Sequence, residues 1–266
     1  MKESKSKIFS RILVILFFVI YYVPLISIVV FSFNESQSVT HFTNFSFKWY
    51  QELFTNARLL QIIFRTILIA VIATLIATLI GTIVSVLLTR SNNKLRNFIL
   101  RVNDFPIINP DIVTGIGLLL LFVSLQVPRG YVTMVIAHIS FCTPYVIINV
   151  YPKLKTLDPN IFEAAEDLGA KPRKAIRDAI LPQIKGAIIS AAAISFTMSF
   201  DDFVISYFTG GSVLNISTYL YSEAKKIEPT INALSTIIIL IIIIKVAVDL
   251  VRDNKKEKEE NEKKNY

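Results

Sequence analysis

The chain has 266 residues and a mass of 30.1 kDa, enough for one or two domains. Hydrophobic residues make up 53% and charged residues 18%, with a mean hydropathy of +0.56. That excludes an ordinary water-soluble enzyme, in which about a quarter of residues are charged, and a disordered chain, which is poor in aliphatics. With a formal net charge of +8 and the lone cysteine Cys142, a disulfide scaffold and a multi-cysteine metal site are excluded as well.

A polytopic membrane protein remains. A transmembrane helix needs about 20 mostly apolar residues. The first such stretch is 12–33, after Lys2, Lys5, Lys7 and Arg11 in an N-terminal segment 1–11. It is about twice as long as a signal h-region and lacks a small-residue cleavage site, so it reads as an uncleaved first span. A loop from 34 to 65 follows, with FSFKWYQELF as a short aromatic interfacial helix. The second span is 66–88. The third, 106–125, opens with two prolines and Asp111. The fourth is 131–151 and contains His138. After a long loop, 152–182, the fifth span runs 184–209 and carries Asp201 and Asp202. A loop at 210–230 leads to the sixth span, 231–251, and a charged tail, 252–266. The expectation is an all-α, six-span permease-like domain over 12–251.

Orientation follows the Lys and Arg in the flanks. The N-terminus, the second-to-third loop, the region between the fourth and fifth spans through Lys185, and the end of the sixth span from Lys245 with the tail hold 22 of them, against 6 (Lys48, Arg58, Arg65, Arg129, Lys225, Lys226) on the other side. Both termini are expected to be cytoplasmic. The net positive charge is then a topology signal and does not point to nucleic acid.

Enzymatic signatures are missing. There is no G-x-x-x-x-G-K-S/T loop and no H-E-x-x-H or Ser/His/Asp set. His41 and His138 fall in different compartments, and His138 reads as a packed or hydrogen-bonded residue, not a ligand. Asp201 and Asp202 are adjacent, about 100° apart on one helix, and cannot form a catalytic dyad alone. No metal site is expected.

The cytoplasmic loop is the most informative segment. Asp158-Pro159 reads as a helix start, with an N-cap acid and a proline at the first position. Ile161, Ala164, Ala165 and Leu168 recur at helical spacing, and Gly169 is placed as a C-terminal stop. Lys171-Pro172 begins a second short helix that ends at Leu181-Pro182. The alternatives are a solvated connector and a knob whose small alanines admit another protein surface. A buried Glu163 there would need a partner donor.

Glu163, Ala164, Ala165, Gly169, Leu181 and Pro182 resemble the EAA loop of ABC importer permeases. FSFKWY, NPDIV, AHISFCTPYVIINVYPKLKTLD, EAAEDLGA and SFTMSFDDFVISYFTGG are similar to the PotC-type spermidine/putrescine permeases, over nearly the whole chain apart from the tail. The resemblance implies a MetI-like permease fold with its core at 62–251 and residues 152–182 docking on an ATPase. It implies an ATP-driven importer in a bacterial plasma membrane, binding-protein-dependent, with polyamines as substrate. The chain itself would not be an enzyme and would hold no cofactor; ATP and Mg would sit on a separate ATPase dimer. A second, PotB-like permease and an extracytoplasmic polyamine-binding protein would complete the assembly.

A polyamine route should offer carboxylates, with aromatic faces between them. Intramembrane acids are costly and are read as functional by default. Ser195, Ser199, Asp202 and Ser206 recur at steps of 4, 3 and 4 and form a polar stripe on a continuous span. The stripe is expected to face the pore or a partner subunit, with Asp201 beside it. Asp111 follows Asn109-Pro110 as a first-turn acid, which suits either helix capping or the path. Trp49 and Tyr50 suit either an interfacial aromatic belt or a cation-facing pair at the outer mouth. Lys245 and Asp249 read as an i,i+4 pair. The rival readings are a permease for another solute and a membrane enzyme using the intramembrane aspartates.

Overall fold

The computed structural model describes residues 2–38, 40–158, 160–223 and 229–264, and the side chains at 7, at 9–248 within those ranges and at 251. Pro159 as a first helical residue, Lys225 and Lys226 on the outer side and the side chain of Asp249 lie outside the described residues.

The described chain is almost entirely helical. In order the helices are α1 (Lys2–Phe31), α2 (Lys48–Thr55), α3 (Ala57–Arg90), α4 (Asn93–Ile108), α5 (Asp111–Ser124), α6 (Tyr131–Lys155), α7 (Asn160–Asp167), α8 (Pro172–Ala175), α9 (Leu181–Asp201), α10 (Val204–Thr209), α11 (Ile216–Glu223) and α12 (Pro229–Lys264). Among the described residues 5 helices are long and apolar enough to cross a membrane, and the bent pair α4–α5 makes a sixth. The chain divides into two compact units, Met1–Leu60 with Ser222–Tyr266, and Gln61–Tyr221.

In the first unit α12 packs on α1 and α2. The apolar side chains of α1 from Phe9 to Val23 are mostly bare, as expected of a helix solvated by lipid. The loop after α1 is organised by Asn34. Its amide nitrogen donates to the Ser38 carbonyl (2.8 Å) and the His41 carbonyl (2.8 Å), and its oxygen accepts from the Thr43 N–H (2.8 Å). The aromatic helix expected near FSFKWYQELF is α2, and it starts only at Lys48.

In the second unit α6 packs against α4, α9 and α10, while α10 packs on α5. The core here contains Val146, Val150, Ile184, Ala191 and Ile205. α3 comes so near that a Cβ on Gly81 would lie 2.6 Å from Val146 Cβ, so only glycine admits this approach.

Three expectations about elements need correction. The third span is not a straight helix beginning at Pro106: α4 and α5 meet at 105° around Asn109-Pro110. The reason is local, since proline disfavours helical backbone in the residue before it, and Asn109 is extended (ψ 143). Pro110 therefore takes the N-cap place and Asp111 the first helical position. The second short helix of the loop does not stop at Leu181-Pro182. A π-helical turn, Ile176–Ile180, joins α8 to α9, and Pro182 falls within the first two positions of α9, where its missing N–H is tolerated. The fifth span is interrupted at Asp202-Phe203, with Asp202 in extended backbone (φ −61, ψ 127).

Candidate functional site

The break in the fifth span is held by side chains. Asp202 turns back onto the following turn and accepts from the N–H groups of Ile205 (3.2 Å) and Ser206 (2.7 Å) and from the Ser206 hydroxyl (2.7 Å). A short acidic side chain competes with the backbone in this way, which favours a new helix start over continuation. The freed carbonyls are also taken up. The Asn215 amide donates to the carbonyl of Asp202 (2.8 Å), and the Ser217 hydroxyl donates to that of Asp201 (3.0 Å). Irregular backbone at membrane depth requires this kind of replacement.

His138 of α6 stands at the centre of the network and is fully buried. Its Nδ1 lies 2.6 Å from the Ser199 hydroxyl, and its Nε2 lies 2.9 Å from the Ser206 hydroxyl and 3.4 Å from the Asp202 carboxylate. The Asn215 amide also reaches Ser206 (2.8 Å). The polar stripe of span 5 thus faces α6 inside the chain and not an open pore: Ser195, Ser199 and Ser206 are buried, and Ser199 and Ser206 are taken up by His138 and its neighbours. Periodicity placed the stripe on one face, yet it carried no information on what that face meets. Asn215 went unnoticed because a lone Asn in a loop has no distinguishing spacing.

The two acids are separated by the break. Asp202 is nearly enclosed, its side chain 8% exposed, whereas Asp201 is exposed. Asp111 is exposed at the start of α5. Trp49 is 3% exposed, and its indole N–H donates to the Asn34 carbonyl (2.5 Å). The Tyr50 hydroxyl lies 2.7 Å from Ser32 Oγ. In this structure both therefore close the loop after α1.

The 152–182 loop is built differently. The Asp158 carboxylate accepts from the Asn160 N–H (2.9 Å) at the start of α7. The end of α7 is a Schellman cap: the Ala170 N–H donates to the Ala165 carbonyl (3.0 Å), the Gly169 N–H donates to that of Glu166 (2.8 Å), and Gly169 has φ +81. Glu163 and Ala164 are exposed, and Leu168 is 89% exposed. The Arg90 guanidinium at the end of α3 lies 3.2 Å from the centre of the Phe162 ring, beside a cleft of about 640 Å³ that Lys155 and Glu163 also line.

A spanning helical bundle with an open helical knob matches known transporters. A family model described as "Binding-protein-dependent transport system inner membrane component" matches residues 77–256. The chain belongs to this family. It is the permease subunit of an ABC importer, and ATP hydrolysis belongs to a separate subunit. Permeases of this family work with an ATPase and a binding protein.

The chain is 36% identical over 227 residues to the "Spermidine/putrescine transport system permease protein PotC" of Escherichia coli (strain K12), covering 85% of this chain and 86% of that one. It is 36% identical over 237 residues to the "Putrescine transport system permease protein PotI" of the same organism, with coverages of 86% and 84%. A PotC homolog of Mycoplasma genitalium is 34% identical and covers 97% of this chain and 95% of its own. Among solved structures, a bacterial ABC transporter that imports the acidic polysaccharide alginate superposes with a TM-score of 0.65 at 16% identity, over 94% of this chain and 96% of that one. The MetNI methionine transporter gives 0.58 at 18% identity, over 72% and 93%. These two structures support the permease fold.

Proposed function

We propose that this permease carries polyamines, spermidine or putrescine, inward across a bacterial plasma membrane with both termini in the cytoplasm. The observation that carries the reading is the exposed carboxylate of Asp201 at the broken fifth span, in a chain 36% identical to polyamine permeases. A bare acid at this position is costly unless a cation meets it. Asp202 has the same chemistry but is already paired, so its role is to hold the break and so place Asp201. Asp111, the exposed acid at the other kinked span, is the second carboxylate of the path. Ser199 and Ser206 act through the His138 network, and Trp49 and Tyr50 by shaping the outer loop.

Glu163, Ala164, Ala165 and Leu168 form the face that docks on an ATPase dimer; Gly169 fixes the end of that helix, and Leu181 and Pro182 lead into span 5. A second, PotB-like permease supplies the other half of the path, and an extracytoplasmic polyamine-binding protein delivers the substrate. The chain binds no cofactor of its own in this scheme; ATP and Mg remain on the ATPase.

The test is uptake of labelled spermidine and putrescine by cells lacking this chain, complemented with the wild type, Asp201→Asn or Glu163→Ala, with membrane levels checked. The expected result is loss of uptake in the null and in both variants, with restoration by the wild type. Unchanged uptake in a null that has no other polyamine importer would sink the substrate assignment. An oxyanion permease is the weaker alternative, since anion routes favour basic residues and helix N-termini over acids.

A further inference from the structure

The aromatic pair expected from the sequence, Trp49 and Tyr50, is committed to the loop after α1. A different aromatic group lies at the break itself. Phe203, the second residue of the interruption, has its ring centre 4.8 Å from that of Tyr221 on α11 and 5.5 Å from that of Tyr207 on α10. Tyr207 and Tyr221 are 6.1 Å apart at 80°. Rings that serve only to pack bury one another, yet Tyr207 is 53% and Tyr221 61% exposed. The cluster is fixed to the acid by backbone: the Ser217 hydroxyl of α11 donates to the Asp201 carbonyl, and Phe203 is two residues from Asp201.

We infer that Phe203, Tyr207 and Tyr221 form a receiving face for an alkylammonium group, with Asp201 as its counter-charge. The chemistry is complementary at each point. A ring face attracts an ammonium through its quadrupole, most strongly away from water. The methylene stretch of a polyamine lies against the ring edges, and the tyrosine hydroxyls take up ammonium hydrogens. An unwound segment at membrane depth is where such a group can approach backbone and side chains together. Asn215, just before α11, and Ser217 tie this helix to the carbonyls of the break, and the Ile216 N–H at its start donates to Thr66 of α3 (2.9 Å).

The inference rests on the polyamine reading above, and its test separates the two. The permease–ATPase complex in nanodiscs, without the external binding protein, is titrated with labelled spermidine. Tyr207 is replaced by phenylalanine and then by phenylalanines of increasing ring fluorination, which preserve shape and drain the ring face of charge. Tyr207→Phe, which removes one hydroxyl acceptor, is expected to raise Kd several-fold and sets the reference for the fluorinated series. Full fluorination is expected to raise Kd by about 3- to 30-fold, in steps. A Kd that stays flat along the series, while Asp201→Asn raises it, overturns the aromatic face and leaves the polyamine path standing. Absence of saturable spermidine binding by the unsubstituted complex also overturns the site. The polyamine reading itself fails only on the uptake experiment, if the null takes up spermidine and putrescine normally.

Discussion

The break in span 5 and the knob formed by the 152–182 loop use the same materials to opposite ends. Each interrupts a helix, and each carries an acid near the interruption. At the break, Asp202 is enclosed and its oxygens accept three hydrogen bonds, with His138 close by. On the knob, Glu163 is exposed and Leu168 stands almost bare. The first is a closed network that fixes backbone within one subunit. The second is an exposed surface, which the proposed function gives to the ATPase. The three acids thus differ in their surroundings: Asp202 is enclosed and hydrogen-bonded, whereas Asp201 and Glu163 are exposed.

The comparison breaks most readily at Asp202. Leaving buried hydrogen-bonding groups without their partner costs about 1–3 kcal/mol each. Asp202→Ala is therefore expected to lower the Tm of the purified complex sharply, with Asp202→Asn milder. His138→Ala added to Asp202→Ala should cost far less than the two separate losses combined. Additive losses would show that the two residues are not one unit.

The knob should fail in the other way. Leu168→Asp is expected to leave the melting of the permease within about 0.5 kcal/mol, as for an exposed site. Association with the ATPase should weaken by about 2–4 kcal/mol, the scale of an interface hot spot. Copurification of ATPase against membrane level reads the difference directly. Normal copurification would mean that the bare leucine meets something else.

Gly169→Ala sharpens the same point with a smaller effect. A side chain at φ +81 costs about 1–2 kcal/mol. The end of α7 would then fray, and uptake should drop several-fold while the span-5 network keeps its stability. The smallest effect is expected at Trp49→Phe. It removes one indole donor, worth about 0.5–1.5 kcal/mol, and should lower Tm slightly without changing spermidine Kd. A large rise in Kd would return Trp49 to the substrate path.

Much of this was legible beforehand. Runs of about 20 apolar residues place the spanning helices because lipid offers no partner to backbone polar groups. Asp158, Gly169 and Lys171-Pro172 each mark a helix end of the knob through local backbone chemistry, which is why those signals survived into the structure. The interruption at Asp202 was not legible. Nothing in SFTMSFDDFVISYF breaks a helix by propensity alone. The interruption exists because the Asp202 carboxylate caps the turn after it while Asn215 and Ser217, more than ten residues downstream, take up the carbonyls it frees.

The sequence alone therefore determined the membrane-spanning all-helical class, the positive flanks and the EAA knob, since hydropathy, charge and caps act over a few residues. Only the tertiary structure decided which acid is enclosed and which is exposed. Asp201 and Asp202 are the same residue type at adjacent positions, and what separates them is contact with His138, Ser206 and Asn215 from elsewhere in the fold. It also buried Trp49 and left Tyr207 and Tyr221 exposed. Exposure is a property of packing between elements, which no local pattern in a single chain encodes.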